Sequence, residues 1–332
     1  MTKQAKIIGT GSYLPERVLS NQDLEKMVET SDEWIVTRTG MKERRIARED
    51  EYSSTMGALA AKKALEDAGI SADAIDLIIV GTVTPDYVFP STACLIQHEI
   101  GAKSAGALDI QAACTNYLYA LSIAKAWVES GVYKNILLVF PDKLSSITNY
   151  KDRSTCVLFG DAAAACVIAS DIEKKGLLIK TVRLGADGEQ ADLLKLPAGG
   201  CRMPATAETV ANCQHFLHME GNEVFKHAVR RMELASKECL DVAGIDETAI
   251  SWVIPHQANI RIIDAIAKRF KHLSSERIFK TVHKYGNTSA SSVGIALDEL
   301  LKEKMVKPGE KILLTAFGSG FTWGAAILHY EE

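Results

Sequence analysis

Leu65-Glu-Asp-Ala-Gly-Ile70, with Ile75 and the run Leu77-Ile-Ile-Val80 behind it, returns later in the chain as Leu240-Asp-Val-Ala-Gly-Ile245, with Ile250 and Trp252-Val-Ile-Pro255. The two copies lie 175 positions apart. The echo continues downstream: Ala120-Leu121 answers Ala296-Leu297, and Asn135-Ile-Leu-Leu-Val139 answers Lys311-Ile-Leu-Leu-Thr315 at an offset of 176. Phe159-Gly160, ahead of Ala164-Ala-Cys-Val-Ile168, pairs likewise with Phe317-Gly318, ahead of Gly324-Ala-Ala-Ile-Leu328. Each copy reads as helix, Ala-Gly cap, buried strand, loop, helix, strand and a further apolar strand. A glycine after a helical run supplies the left-handed cap, and short β-branched runs bounded by turns mark strands covered on both faces. The economical architecture is two similar α/β halves related by pseudo-symmetry, residues 1–172 and 173–332. Such a period is far too long for a solenoid.

Composition narrows the class. The chain has 332 residues, 47% of them hydrophobic and 24% charged, enough for a globular protein with a sizeable core. A net charge of −4 offers no global footprint for nucleic acid or a membrane surface, so any basic recognition is local. The stretch from Met1 to Ile8 does not read as a signal peptide, and no run reaches the roughly 18 apolar residues of a membrane span. Seven cysteines, odd in number and without a C-x-x-C pair, argue against a disulfide framework or zinc ribbon and for a reducing, cytoplasmic setting. Cys213-x-His215-x-x-His218 lacks a second ligand group, so no metal is expected. Gly9-Thr10-Gly11 has Leu14 at the third position of a dinucleotide fingerprint, and reads instead as a tight turn after the first strand.

Chemistry is sought where the two copies differ at matching loops. After Leu77–Val80 the first half continues Gly81-Thr82, whereas the second carries Pro255-His256-Gln257-Ala258-Asn259. This puts a histidine at the carboxyl end of a buried strand, where open α/β sheets place ligands. Gln111-Ala-Ala-Cys114 precedes a helical stretch, and its counterpart loop holds Tyr285-Gly-Asn287-Thr-Ser-Ala290. A cysteine at a helix start gains from free N–H groups and the helix dipole, which favour the thiolate and predict a lowered thiol pKa.

At these residues the chain resembles the β-ketoacyl-acyl-carrier-protein synthase III family of condensing enzymes. The resemblance spans nearly the whole sequence. It rests on Thr30-Ser-Asp-Glu-Trp-Ile-Val-Thr-Arg-Thr-Gly40, Asp152-Arg153 before Phe159-Gly160-Asp161, Met219-Glu-Gly-Asn-Glu-Val-Phe-Lys226, His256-Gln-Ala-Asn259, Gly286-Asn-Thr-Ser289 and Gly320-Phe-Thr-Trp-Gly324. It implies a thiolase-like α/β fold whose halves pack as α-β-α-β-α layers, and a Cys–His–Asn site at Cys114, His256 and Asn287. It also implies backbone oxyanion donors at Cys114 and Ser319. A coenzyme A thioester is then a substrate, with no resident cofactor and no metal. Trp34 would stack on its adenine with Arg153 on the other face, Arg38 would meet the nucleotide, and Gly221 and Asn259 would line the pantetheine arm. Phe89 would close the acyl pocket of the partner in a homodimer.

Those residue types suit the chemistry independently of the family. A thiolate accepts an acyl group from a thioester and splits one difficult step into two. Decarboxylation of a malonyl unit leaves an enolate-like carbanion without proton abstraction from carbon, so neutral donors such as His256 and Asn287 suffice. The expected function is decarboxylative condensation of an acyl-CoA primer, acetyl-CoA first, with malonyl-acyl carrier protein to start fatty-acid synthesis. The alternative is a paralogous condensing enzyme or acyltransferase with another primer. A thiolase needs a second cysteine near the C-terminus, which Gly318–Gly324 lacks, and a silent binding subunit would not need all three site residues. Thr115, Asn116 and Ser319 depart from the family's small residue and glycines, which bears on primer preference and on the oxyanion loop. For the acidic carrier protein, Arg261, Lys268 and Arg269 fall on one face of a helix over Ile260–Phe270 and form the expected docking patch.

Overall fold

Both Ala-Gly repeats end a helix in the same way. Helices Ser53–Ala68 and Gly221–Ala243 stop at Gly69 and Gly244, each with φ of 62°. Ile70 and Ile245 then reach back with their N–H groups to the carbonyls of Leu65 and Leu240, at 3.2 and 3.1 Å. A left-handed backbone penalises any Cβ, so glycine holds both caps.

The computed structural model describes residues 3–170 and 175–331. The expected boundary between halves, near residues 172 and 173, lies outside the described residues. Nine strands form the main sheet: β1 (Lys6–Tyr13), β2 (Leu77–Gly81), β3 (Gly106–Ile110), β4 (Asn135–Asp142), β5 (Ala162–Ala169), β6 (Gly176–Ala186), β7 (Trp252–Pro255), β8 (Lys311–Gly318) and β9 (Thr322–Glu331). Their spatial order is β7-β8-β9-β6-β1-β5-β4-β2-β3. Two leaves meet along β1 and β6, which pair only at Lys6↔Leu178 and Ile7↔Leu177. The duplication extends to register: Leu77 faces Ile136 in the parallel pair β2–β4, and Trp252 faces Ile312 in β7–β8. Among the described residues only β3 lacks a full counterpart, which is reduced to the single bridge Val253↔Ile278.

Among the described residues, seven helices of eight residues or more cover and separate the leaves: α1 (Asp32–Thr39), α2 (Ser53–Ala68), α3 (Thr92–Ile100), α4 (Asn116–Glu129), α5 (Gly221–Ala243), α6 (Ile260–Ala267) and α7 (Ser291–Lys302). Alternation along each strand sorts its side chains between layers. Leu77, Ile79, Trp252 and Ile254 enter a middle core with Leu121 of α4 and Leu297 of α7. Ile78 and Val80 face outward onto the small residues of α2, and Val253 faces outward onto Met232 and Ala235 of α5. The result is the α-β-α-β-α layering of the thiolase fold, with α4 and α7 in its centre. Each fully buried Leu or Ile contributes about 1.5–3 kcal/mol to these cores.

Gly9-Thr10-Gly11 is not a turn. It lies inside β1, under α2, where a Cβ at Gly9 or Gly11 would come within 2.5 and 2.4 Å of the Ala64 and Ala60 carbonyl oxygens. The glycines are there for close strand-to-helix packing. No helix of the described residues is long and apolar enough to cross a membrane. Nor do the described residues group three or more His, Cys, Asp or Glu side chains where a metal could be held.

Candidate active site

Beyond β3 the chain turns sharply. Ala113 has φ of 48°, Cys114 follows in a single 3-10 turn, and α4 begins at Asn116. In the other half Ser289 has φ of 56° just ahead of α7. Ala113 and Ser289 stand 176 positions apart, the offset of the repeat. Residues with a Cβ pay for a left-handed backbone, so both strained turns are held by their packing. They open onto one cavity of about 760 Å³, a size suited to a bound ligand, which Cys114, His256, Asn287 and Ser319 all line.

The thiol of Cys114 is not lowered as the helix-start argument predicts. Burial pushes it up to about 12, outweighing the Ser289 hydroxyl and its own N–H, which favour the anion. No cation stands among the causes to offset desolvation. His256, 3% exposed, is held down to about 4 by burial and is neutral. Its Nδ1 lies 2.7 Å from Ser292 Oγ, which also accepts the Gln257 N–H at 3.3 Å. Among the described residues Nδ1 is the acceptor that Ser292 Oγ meets, and a Ser292 proton given to Nδ1 leaves Nε2–H as the free donor. The Asn287 Oδ1 accepts the Ser289 N–H at 2.9 Å, so its amide hydrogens remain for the cavity. Gly318 packs its backbone on the turn, where an added Cβ would lie 2.8 Å from the Cys114 nitrogen. The oxyanion candidates, the Cys114 and Ser319 N–H groups, therefore belong to adjoining loops.

Toward its mouth the cavity is lined by Trp34, Arg38, Gly221, Asn259 and Arg261. Asn259 caps α6, its side chain accepting the Arg261 N–H at 2.8 Å. The Arg261 guanidinium covers the Phe225 ring at 5.1 Å. The Arg153 guanidinium lies over Trp34 at 4.9 Å and donates to the Glu29 carbonyl at 3.0 Å. Phe89 is not brought into this cavity: Tyr87, Val88 and Phe89 are 60, 89 and 85% exposed at a loop tip. The three-cation face is smaller than the sequence suggests. Helix α6 ends at Ala267, Lys268 is its exposed C-cap, and Arg269 lies beyond it, held by Glu233 and Glu247 at 3.4 Å each. Two acids within reach divert Arg269 from solvent, leaving Arg261 and Lys268 exposed.

Of the three departures from the family pattern, only Ser319 lines the cavity. Its hydroxyl donates to the Leu194 carbonyl, tying the oxyanion loop to the short strand Leu194–Lys195. Thr115 and Asn116 instead brace the turn under Cys114. The Thr115 hydroxyl donates to the Ala112 carbonyl at 2.5 Å and meets Thr322, while Asn116 Oδ1 accepts the Ala112 N–H at 2.6 Å. Ser292, on the first turn of α7, escapes sequence reasoning altogether, and Ser289 enters it only as the last residue of the Gly286–Ser289 motif.

Comparison with known proteins agrees with this geometry. Residues 108–188 match the family described as 3-oxoacyl-[acyl-carrier-protein] synthase III, and residues 240–330 match its C-terminal part. The chain is 60% identical to a β-ketoacyl-[acyl-carrier-protein] synthase III of Chlamydia caviae, over 99% of this chain and 98% of that protein. A protein of the same name from Caldanaerobacter subterraneus is 50% identical over 99% of this chain and 98% of its own length. The crystal structure of 3-oxoacyl-[acyl-carrier-protein] synthase III from Aquifex aeolicus superposes with a TM-score of 0.90 at 49% identity, covering 98% of this chain and all (100%) of that one. A thiolase-like fold with cysteine, histidine and asparagine around one cavity, matched by these relatives along nearly its full length, places the chain in the β-ketoacyl-acyl-carrier-protein synthase III family of acyltransferases.

Proposed function

We propose that the chain condenses an acyl-CoA primer, acetyl-CoA first, with malonyl-acyl carrier protein through an acyl group carried on Cys114. The observation that carries this reading is a neutral His256, hydrogen-bonded through Nδ1 to Ser292, in the cavity that also holds Cys114 and Asn287. In the first half-reaction the Cys114 sulfur attacks the thioester carbonyl. The Cys114 and Ser319 N–H groups are the donors for the resulting oxyanion. In the second, Nε2–H of His256 and the Asn287 amide hold the malonyl thioester oxygen. Carbon dioxide leaves, negative charge grows on that oxygen, and the carbanion attacks the acyl-Cys114 carbonyl. Neutral donors serve here because no proton leaves carbon.

The half-buried Trp34 under the exposed Arg153 suits an adenine subsite. A ring inserted between them needs about 3.5–4 Å on each face, so Arg153 swings aside on binding. The apolar tip at Tyr87–Phe89 supports a homodimer in which Phe89 reaches the partner's cavity, since contiguous exposed apolar side chains seek cover. The thioesters supply the chemistry, so the reading requires no resident cofactor, and the free cysteines fit a cytoplasmic setting. Incubation with acetyl-CoA should add one acyl mass to the intact protein, and Cys114→Ala should abolish that addition and the condensation while keeping the fold. Condensation by the variant at the wild-type rate would overturn the assignment.

A further inference from the structure

The two backbone donors for the oxyanion, at Cys114 and Ser319, come from segments 205 positions apart in the chain. A pair of threonines joins those segments. On the nucleophile side, the Ala112 carbonyl accepts the Thr115 N–H at 3.1 Å and the Thr115 hydroxyl at 2.5 Å. The Thr322 hydroxyl stands 2.9 Å from the same carbonyl, meets the Thr115 hydroxyl, and stands 3.0 Å from the Ser319 carbonyl on the other segment. Thr322 is therefore within hydrogen-bond reach of both. Its own backbone is fixed, because it opens β9 between two partners, Gly318 of β8 and Ala186 of β6. Thr115 is fully buried, and Thr322 lines the cavity. The segments also touch without slack: a Cβ on Gly318 would lie 2.8 Å from the Cys114 nitrogen and 3.3 Å from the Ala112 carbonyl oxygen.

Two donors stabilise an oxyanion only if both stand about 2.7–3.1 Å from the place where its charge develops, so the spacing between them matters as much as their presence. Each donor here lies next to a clasped carbonyl. Ala112 precedes Cys114 by two residues, through the left-handed Ala113, and Ser319 carries its N–H and its clasped carbonyl on one residue. Fixing the two carbonyls relative to each other fixes the two N–H groups as well. We propose that the Thr115 and Thr322 hydroxyls form a positioning clasp that holds the Cys114 and Ser319 N–H groups at the spacing the oxyanion requires, and that this clasp sets the rate of acyl transfer to Cys114. Hydroxyls suit the task because each gives one hydrogen bond and accepts others without placing a charge beside the nucleophile. A strand residue supplies one of them, which makes the geometry more rigid than loop contacts would. The clasp acts through the backbone donors and moves no proton to or from the substrate.

This inference rests on the reading that Cys114 is acylated. Its test is single-turnover acylation of the full-length protein, followed by intact mass over a range of acetyl-CoA concentrations, which separates the maximal rate from the half-saturating concentration. Thr115→Val and Thr322→Val keep the side-chain shape and remove the hydroxyl. Each should lower the maximal rate roughly 10-fold, with half-saturation and malonyl decarboxylation both within about 2-fold of wild type. The double variant should acylate within about 2-fold of the slower single one, because the two hydroxyls work as one unit, and Thr115→Ser should restore the rate. A merely structural pair predicts additive losses, spread over both half-reactions and not rescued by serine. Any of those results, or wild-type acylation by both valine variants, would overturn the clasp. If Thr322→Val fails to fold, Thr115→Val and Thr115→Ser decide by rate, half-saturation and decarboxylation. No acyl mass on wild-type Cys114 would overturn the functional reading together with this one, whereas normal acylation by the valine variants would remove the clasp alone.

Discussion

Ser292 Oγ lies 2.7 Å from His256 Nδ1 while accepting the Gln257 N–H, so a residue 36 positions along the chain orients the imidazole and offers its proton to Nδ1. Ser292→Ala frees the ring to adopt the other tautomer. Loss of one such hydrogen bond, about 0.5–1.5 kcal/mol, is expected to slow malonyl decarboxylation by roughly 3- to 10-fold. Acylation of Cys114 should be spared. Equal slowing of both steps, measured separately, would show that Ser292 acts on the whole site.

Asn287 is assigned to the second half-reaction because its amide hydrogens are free for the cavity. Asn287→Ala should depress decarboxylation and condensation by roughly two to three orders of magnitude, the usual loss on removing one oxyanion-type donor. Acyl transfer to Cys114 should fall much less, as intact mass against time would show.

Ser319→Gly removes the donor to the Leu194 carbonyl but keeps the backbone N–H. The expected cost in stability is about 0.5–1.5 kcal/mol, measured by denaturant melts. Because Leu194 and Leu196 line the cavity, release of this tie should change the ranking of acyl-CoA primers of different length. An unchanged ranking would mark the serine as incidental to substrate choice.

Arg261, which lines the cavity, and Lys268 are exposed, whereas Arg269 is engaged by Glu233 and Glu247. Charge reversal of Arg261 and Lys268 to Glu should raise KM for malonyl carrier protein by roughly 3- to 10-fold at low ionic strength, with the effect shrinking in salt. Arg269→Glu should instead lower stability, by about 1 kcal/mol or less for its partly exposed pairs, and leave that KM near wild type.

The duplication was legible because its signals are local. Helix period, the Gly69 and Gly244 caps and the alternation of Leu77–Val80 depend on residues a few positions apart, and each kept its meaning once folded. Cys114, His256 and Asn287 stood out for a related reason: they break the repeat at matching loops, and the fold brings those loops to one cavity. The readings that failed depended on neighbours distant in sequence. Gly9 and Gly11 looked like a turn until α2 lay across them, and Arg269 looked free until Glu233 and Glu247 came within reach. The Cys114 thiol followed the same rule, since a helix start is visible in the chain but desolvation is not. Ser292 beside His256 is a product of packing alone. Burial, tautomer and proton affinity are set by everything around a group, and those surroundings exist only after distant segments have come together.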